Sequence, residues 1–358
     1  MHKKLFIPGP VEVRQEVLEK MSTPMIGHRS KEASELQKRI SDNLRKLFYT
    51  QSEILLSTSS GSGLMEGAIR SCTAKRAAVF SVGAFGNRWY KMAVNNNVPA
   101  DIFEFEMGKA VKVEKVKEVL DTGKNDLVAV THNETSTGIM NPIKEIGEVI
   151  KNYPEVVFIV DTVSSAGGTK IEVDNWGIDV CITSSQKALG LPPGLSVCTF
   201  SEKAKNRAEN VKNRGFYLDL LALYKYLKKK NYQYPSTPSL SHMFALDYQL
   251  DYILNVEGLE NRFKRHIEMA DIVRNWGRKY FELFPEEGYL SNTLTTIKNT
   301  RGISVADLNK ELAKRGFQIS NGYGDLKEKT FRIAHMADIT VDEVKELLDN
   351  INDILGLQ

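Results

Sequence analysis

The segment Ser184-Ser185-Gln186-Lys187-Ala188-Leu189-Gly190-Leu191-Pro192-Pro193-Gly194 lies between two apolar runs. The run before it, residues 178–182, predicts a buried strand, and the run after it, residues 195–200, predicts another strand beyond the Pro-Pro-Gly turn. An ammonium group at the edge of a core is costly unless it is paired or deprotonated, and a deprotonated lysine can attack a carbonyl carbon. Lys187 is therefore a candidate nucleophile, although a single loop lysine is more often a solvated surface residue.

A second candidate site lies upstream, where the apolar run Val156-Val157-Phe158-Ile159-Val160 continues into Asp161. A carboxylate that ends a buried strand needs a partner, because an unpaired buried charge is expensive. Pyridoxal 5′-phosphate would supply one, since an aspartate keeps its pyridine nitrogen protonated while a lysine holds its aldehyde as a Schiff base. Asp161 and Lys187 are 26 positions apart (187 − 161), enough for the next strand to return to the same edge of a parallel sheet.

These segments together resemble a known family. Asp161-Thr162-Val163, followed by Ser185-Gln186-Lys187-Ala188-Leu189 and Pro192-Pro193-Gly194, is similar to the class V pyridoxal-phosphate aminotransferases, in the alanine–glyoxylate and serine–pyruvate (serine–glyoxylate) branch. The similarity runs from Pro8-Gly9-Pro10 to Phe331-Arg332-Ile333. It implies an α/β fold of fold-type I, with a mainly parallel central sheet, helices on both faces and a small C-terminal α+β domain. It also implies a homodimer whose active sites are shared across the interface.

The alternation of predicted strands and helices between residues 53 and 200 separately favours a largely parallel sheet covered on both faces. After residue 200 the pattern becomes mainly helical, and a small α+β lobe follows. Thr340 and Glu343 form a plausible capping box for its last helix. We expect an N-terminal arm and helix over residues 1–20, a large cofactor-binding domain over 21–256 and a small domain over 257–358.

The seven positions from Ser57 to Gly63 hold only Ser, Thr and Gly and come directly before a predicted helix. Such a loop presents backbone N–H groups at a helix N-terminus, where the dipole favours an anion. Its glycine spacing is G-x-G-x-x-x-G rather than the G-x-G-x-x-G of a dinucleotide site. Beside Asp161 and Lys187, the loop is predicted to bind the 5′-phosphate, with Ser62 and Gly63 as contacts.

The resemblance implies further contacts with the cofactor. An aromatic ring would stack on the pyridine, a threonine would hydrogen-bond the phenolic oxygen, and two residues would reach the phosphate of the neighbouring subunit's cofactor. The residues implied are Phe85 for stacking, Thr135 for the phenolic oxygen, Val163 and Gln186 beside the ring and lysine, and Tyr234 and Thr237 across the interface.

Arg332 lies in an otherwise apolar strand predicted over residues 330–335. A core-facing arginine needs an anion, and its planar guanidinium matches a carboxylate with two parallel hydrogen bonds. An intramolecular salt bridge would satisfy it equally well, but the resemblance implies that Arg332 binds the α-carboxylate of the substrate. On the same ground, His28 and Arg29 are candidates for contacting the substrate or the opposite subunit, although the sequence alone predicts only a loop before a helix there.

Composition excludes several classes of protein. The 358 residues are 42% hydrophobic and 26% charged, with a net charge of +3 and no polybasic block typical of nucleic-acid binding. No apolar run approaches a membrane span, and the segment before Pro8 is too short for a signal peptide, so we expect a cytoplasmic protein without membrane or nucleic-acid partners. Cys72, Cys181 and Cys198 lack C-x-x-C spacing and are predicted to be buried free thiols, and we expect no metal.

The expected activity is pyridoxal-phosphate-dependent transamination between alanine or serine and glyoxylate or pyruvate. A 2-aminoethylphosphonate–pyruvate transaminase stays open as an alternative, because a second anion site could use Arg29 or a neighbour. A non-catalytic binding subunit on the same fold would be expected to have lost Lys187 or Asp161. A cysteine desulfurase would need a thiol in the small domain, and no cysteine follows Cys198.

Overall fold

The structure, a computed structural model that describes residues 2–358, contains a seven-stranded sheet, a five-stranded sheet and a two-stranded hairpin. The strands are β1 (Lys4–Phe6), β2 (Glu53–Ser57), β3 (Ala77–Ser81), β4 (Ala100–Glu104), β5 (Leu127–Thr131), β6 (Asn133–Glu134), β7 (Ile139–Met140), β8 (Val157–Asp161), β9 (Val180–Ser184), β10 (Ser196–Phe200), β11 (Glu282–Leu283), β12 (Leu294–Lys298), β13 (Phe317–Asn321) and β14 (Thr330–Ala334). The α-helices are α1 (Gln15–Lys20), α2 (Lys31–Phe48), α3 (Gly61–Cys72), α4 (Ala84–Asn95), α5 (Val113–Asp121), α6 (Ile143–Ile150), α7 (Glu202–Asn210), α8 (Leu220–Lys229), α9 (Leu240–Asp251), α10 (Leu259–Tyr280), α11 (Val305–Lys314) and α12 (Val341–Leu355).

The seven-stranded sheet has the order β2-β10-β9-β8-β5-β3-β4. All neighbouring strands from β9 to β4 are parallel, so the prediction of a mainly parallel sheet is confirmed. Every residue of β3, β5, β8 and β9 is buried, because continuous apolar runs are covered on both faces. Alternate residues of these strands pack against α2, α5, α6 and α9 on one face and against α3, α4, α7 and α8 on the other.

Strand β10 departs from the parallel arrangement, since it is antiparallel to both β9 and β2. The link from β9 to β10 contains the loop that carries Lys187, here called the lysine loop, and the Pro192-Pro193-Gly194 turn, with no helix in between. A parallel return requires a longer crossover, so this short link yields an antiparallel pair. The lysine loop therefore stays at the edge of the sheet where β8 and β9 both end.

The five-stranded sheet has the order β1-β13-β14-β12-β11 and packs against α10, α11 and α12. Strand β1 pairs in parallel with β13, so the predicted N-terminal arm contributes a strand to this sheet. All strands of the large sheet lie between residues 53 and 200, and the other strands of the small sheet lie after residue 281. The capping box at α12 is present: Thr340 accepts from the Glu343 N–H, and the Glu343 carboxylate accepts from the Thr340 N–H.

The three cysteines are free and buried, as predicted. Within residues 2–358, no helix combines the length and apolar character needed to cross a membrane. The same part of the chain contains no group of three or more His, Cys, Asp or Glu side chains arranged to hold a metal ion.

Candidate active site

The carboxyl ends of β8 and β9 meet at a cavity of about 150 Å³. Asp161 is the last residue of β8, and Lys187 follows β9 by three positions. The parallel pairing of the two strands brings both to the same edge of the sheet, as the sequence predicted. The predicted site residues that line the cavity are Ser62, Phe85, Asp161, Val163, Gln186 and Lys187.

Lys187 is half-buried, and its Nζ donates a hydrogen bond to the carbonyl oxygen of Pro8. The pKa of Lys187 is lowered to about 8, mainly because the amine is removed from water; the negative charge of Asp161 opposes this shift, and the positive charges of Arg332 and Arg88 add to it. The N-terminal arm crosses close to this side chain: a Cβ built on Gly9 would lie 2.6 Å from Lys187 Cδ, and the φ of Gly9 is +108°. Only glycine combines this backbone conformation with this close approach.

The main chain that follows Lys187 is held by buried polar side chains. The Arg262 Nη2 donates to the carbonyl oxygen of Ala188 at 2.9 Å, and the Gln249 Nε2 donates to that of Leu189 at 3.0 Å. Arg262 is fully buried and also pairs with Asp338 at 2.8 Å. The sequence analysis missed Arg262, because nothing in the pattern of α10 separates it from the other arginines of the same helix.

Asp161 is buried and accepts hydrogen bonds from the Val163 N–H at 2.9 Å and the Thr131 hydroxyl at 3.3 Å. Burial raises the pKa of Asp161 to about 6. Asp161 forms no ion pair in residues 2–358: no Lys, Arg or His nitrogen lies within 4.0 Å of the Asp161 carboxylate. A buried carboxylate of this kind fits a cationic ligand group such as a protonated pyridine nitrogen.

The Ser57–Gly63 segment leads into a helix as predicted, but α3 begins within it, at Gly61. Ser60, Gly61 and Ser62 line the cavity, and α3 has no acidic residue in its first turn. Such a helix N-terminus suits an anion. Gly63 lies behind this wall rather than on it, since a Cβ added there would lie 2.6 Å from the Ser59 hydroxyl oxygen.

Phe85 lies on the opposite wall, at the start of α4. The Glu134 carboxylate accepts from the N–H groups of Phe85 and Gly86 at 3.0 and 2.9 Å and from the Ser136 hydroxyl at 2.6 Å. Burial raises the pKa of Glu134. Glu134 therefore anchors the turn that places the Phe85 ring in the cavity wall.

Of the polar residues that follow β5, Asn133 lines the cavity and Thr135 does not. Thr135 is buried away from the cavity, and its carbonyl oxygen accepts from the Arg332 Nη1 at 3.0 Å. Asn133 lines the cavity instead: its Nδ2 donates to the Thr293 hydroxyl at 2.8 Å, and its buried Oδ1 has no hydrogen-bond partner in the described chain. Asn133 was missed, although it belongs to the same polar cluster after β5.

Arg332 lies in β14, with its guanidinium buried beside the Tyr323 ring. Its Nε donates to the carbonyl oxygen of Asn321 at 3.0 Å, and its Nη1 donates to that of Thr135. No carboxylate of residues 2–358 lies within 4.0 Å of it, and burial lowers the pKa of Arg332 to about 10. The intramolecular salt bridge considered as an alternative is therefore not formed within residues 2–358, although Arg332 does not itself line the cavity.

Four predicted residues lie away from the cavity of their own chain. Arg29 donates to the carbonyl oxygens of Tyr234 and Pro235 at 2.5 and 3.2 Å, and the Tyr234 hydroxyl accepts from the Thr58 N–H at 3.3 Å. Thr237 is exposed and His28 is half-buried. None of these four residues lines the cavity of about 150 Å³.

Comparison with known proteins gives one consistent result. Residues 11–347 match the model of the protein family described as aminotransferase class-V. The chain is 43% identical over 341 residues to an uncharacterized aminotransferase of Methanocaldococcus jannaschii, covering 93% of this chain and 88% of that protein. It is 32% identical over 351 residues to the serine–glyoxylate aminotransferase of Methylorubrum extorquens, covering 94% and 86%. The solved structure of an alanine–glyoxylate aminotransferase from Nostoc sp. superposes with a TM-score of 0.93 at 27% identity, covering 99% and 96% of the two chains.

Proposed function

Because this chain belongs to the class V aminotransferases, we propose that it transfers the amino group of alanine or serine to glyoxylate or pyruvate, with pyridoxal 5′-phosphate as cofactor. The names of the relatives support this substrate class, since they pair serine or alanine with glyoxylate. One observation carries the proposal. Lys187 and Asp161 reach the same small cavity; Asp161 is buried, Lys187 is half-buried, and neither has an ion-pair partner within the described chain.

The residues present fit this cofactor. Lys187 can bind its aldehyde, Asp161 can accept from its protonated ring nitrogen, Phe85 can stack on the ring, and the first turn of α3 can bind the phosphate. When bound, pyridoxal phosphate acts as an electron sink for negative charge that develops at the substrate Cα. The unpartnered Oδ1 of Asn133 offers a further acceptor in the same cavity.

The protein side chains then have separate tasks. The lowered pKa of Lys187 leaves a substantial fraction of free amine near pH 8, and this amine can take the proton from the substrate Cα. Asp161 keeps the ring nitrogen protonated through a charged hydrogen bond. Arg332 binds the α-carboxylate and so fixes the orientation of Cα, because two parallel hydrogen bonds define the plane of a carboxylate.

We propose that the active unit is a homodimer. Phe216 has an exposed ring next to Tyr217, and the Tyr217 hydroxyl donates to the Thr58 carbonyl oxygen at 3.3 Å. The two rings form an apolar surface beside the Ser57–Gly63 segment, here called the phosphate loop. A second copy that covered this surface could bring Thr237 and the His28-Arg29 segment to the neighbouring cavity, and Tyr234 would have to give up its hydrogen bond with Thr58 to reach it. Sedimentation of the purified protein tests this proposal, and a monomer that is fully active would contradict it.

The activity is tested by the visible absorption of the purified protein reconstituted with pyridoxal phosphate. L-alanine or L-serine should remove the absorbance band of the lysine-bound cofactor, and glyoxylate or pyruvate should restore it. A band that responds only to 2-aminoethylphosphonate would contradict the proposed substrates. If no band forms, the proposed cofactor chemistry is wrong.

A further inference from the structure

Arg88 lies on α4 between the cofactor cavity and an outer cavity of about 330 Å³. Its Nη1 donates to the Ser62 hydroxyl at 3.1 Å, and its guanidinium carbon lies 4.6 Å from the centre of the Phe85 ring. No carboxylate within residues 2–358 lies within 4.0 Å of the guanidinium, whereas Arg70, on the facing helix α3, pairs with Glu66. Arg88 is therefore a half-buried cation that, within the described chain, makes one hydrogen bond, to a hydroxyl, and lies beside one aromatic ring.

The negative charge of the cofactor's phosphate needs more positive charge than a helix N-terminus supplies, and Arg88 lies close enough to provide it. A phosphate monoester carries about −1.5 to −2 charges at pH 7, and a helix N-terminus supplies only about +0.5. The first turn of α3 offers N–H groups and hydroxyls but no cationic side chain. Lys187 cannot serve this purpose, because its nitrogen is required at the aldehyde. A guanidinium that already contacts Ser62 can supply the missing positive charge.

We propose that Arg88 binds an oxyanion of the bound ligand, with the 5′-phosphate as the expected source. The proposal rests on the proposed function, since it presumes this cofactor. A second source of the same chemistry is the distal acid group of a dicarboxylic amino donor, which could approach Arg88 through the outer cavity. That cavity is also lined by Lys91, which would favour such a group, and by Asp325, which would oppose it.

The test compares pyridoxal phosphate with pyridoxal, which lacks the phosphate. Binding to the cofactor-free protein is followed by tryptophan fluorescence, so that it does not depend on turnover. Arg88→Gln should raise the Kd of pyridoxal phosphate by about 10- to 150-fold, the equivalent of a charged hydrogen bond, and leave the Kd of pyridoxal unchanged. Arg88→Lys should recover part of the loss. The matched control is Arg278→Gln, which removes an exposed arginine of α10 that pairs with Glu287. It should change neither Kd.

The outcomes separate the two sources. An unchanged Kd for pyridoxal phosphate, together with a selective loss of L-aspartate relative to L-alanine as amino donor, would assign the oxyanion to the substrate and still support the proposal. Equal weakening of pyridoxal phosphate and pyridoxal would overturn it, as would no change in either Kd and in the donor ratio. Failure of the proposed function would look different: the wild-type protein would form no absorbance band, or its band would not respond to amino acids.

Discussion

Replacing Arg332 with Gln should weaken the use of substrates that carry an α-carboxylate. A guanidinium has five N–H donors, and Arg332 uses two of them on the carbonyl oxygens of Asn321 and Thr135. Nη2 has no partner in the described chain, so Nη1 and Nη2 together can still donate two parallel bonds to a carboxylate. At about 1.5 kcal/mol for each charged bond, the loss of one or both amounts to about 1.5–3 kcal/mol. This corresponds to a fall of about 10- to 150-fold in kcat/KM.

The assay compares L-alanine with L-alaninamide, which has the same Cα but no carboxylate. The half-reaction is followed as the decay of the cofactor absorbance after mixing with each donor. In Arg332→Gln, the rate at low donor concentration should fall for L-alanine and change little for L-alaninamide. An equal fall for both donors would mean that Arg332 supports the fold of the site instead of binding the carboxylate, and unchanged rates for both would remove it from the site.

Three further predictions concern the lysine and its surroundings. Lys187→Ala should remove the absorbance band and the activity while the protein still binds pyridoxal phosphate non-covalently; a band that persists in this variant would mean that another lysine binds the aldehyde. Because the pKa of Lys187 is lowered to about 8, its free-amine fraction grows as the pH rises through 8, so stopped-flow attachment of cofactor should be half-maximal near pH 8 and level off by about pH 9. A rate that continues to rise towards pH 10.5 would contradict this pKa. Arg262→Met should destabilise the protein by about 3–5 kcal/mol, because it leaves Asp338 and Glu257 buried with one cation fewer. Its melting temperature should fall well below that of Arg278→Gln, and equal melting temperatures would refute the role given to this ion pair.

The sequence identified the parts of the site that end buried strands. Asp161 and Lys187 could be found because each is a single ionisable residue after a continuous apolar run, where parallel strands place ligand-binding groups. The phosphate loop could be found for a similar reason, since seven small polar residues in a row before a helix leave backbone N–H groups exposed. Arg332 was conspicuous because it interrupts an apolar strand.

Other residues at the site could not be found in this way. In the local sequence, nothing distinguishes Arg88 and Arg262 from ordinary helix residues, or Asn133 from an ordinary polar residue after a strand. Their significance depends on partners distant in sequence: Ser62 for Arg88, Thr293 for Asn133, and Ala188 for Arg262. The placement of Thr135 depends on the same kind of contact, because its carbonyl oxygen accepts from a residue 197 positions away.

The sequence by itself determined the alternation of strands and helices, the ionisable residues at the strand ends and the capping box of the last helix, because these depend on hydrophobic burial and hydrogen bonding within a few positions. Only the tertiary structure decided that β1 joins the small sheet, that β10 runs antiparallel and that Arg332 and Arg88 lack an acid partner. Sheet order and ion pairing depend on which distant segments meet. Local sequence patterns do not specify these long-range contacts, because the free energy of each contact is gained only once the whole core has packed.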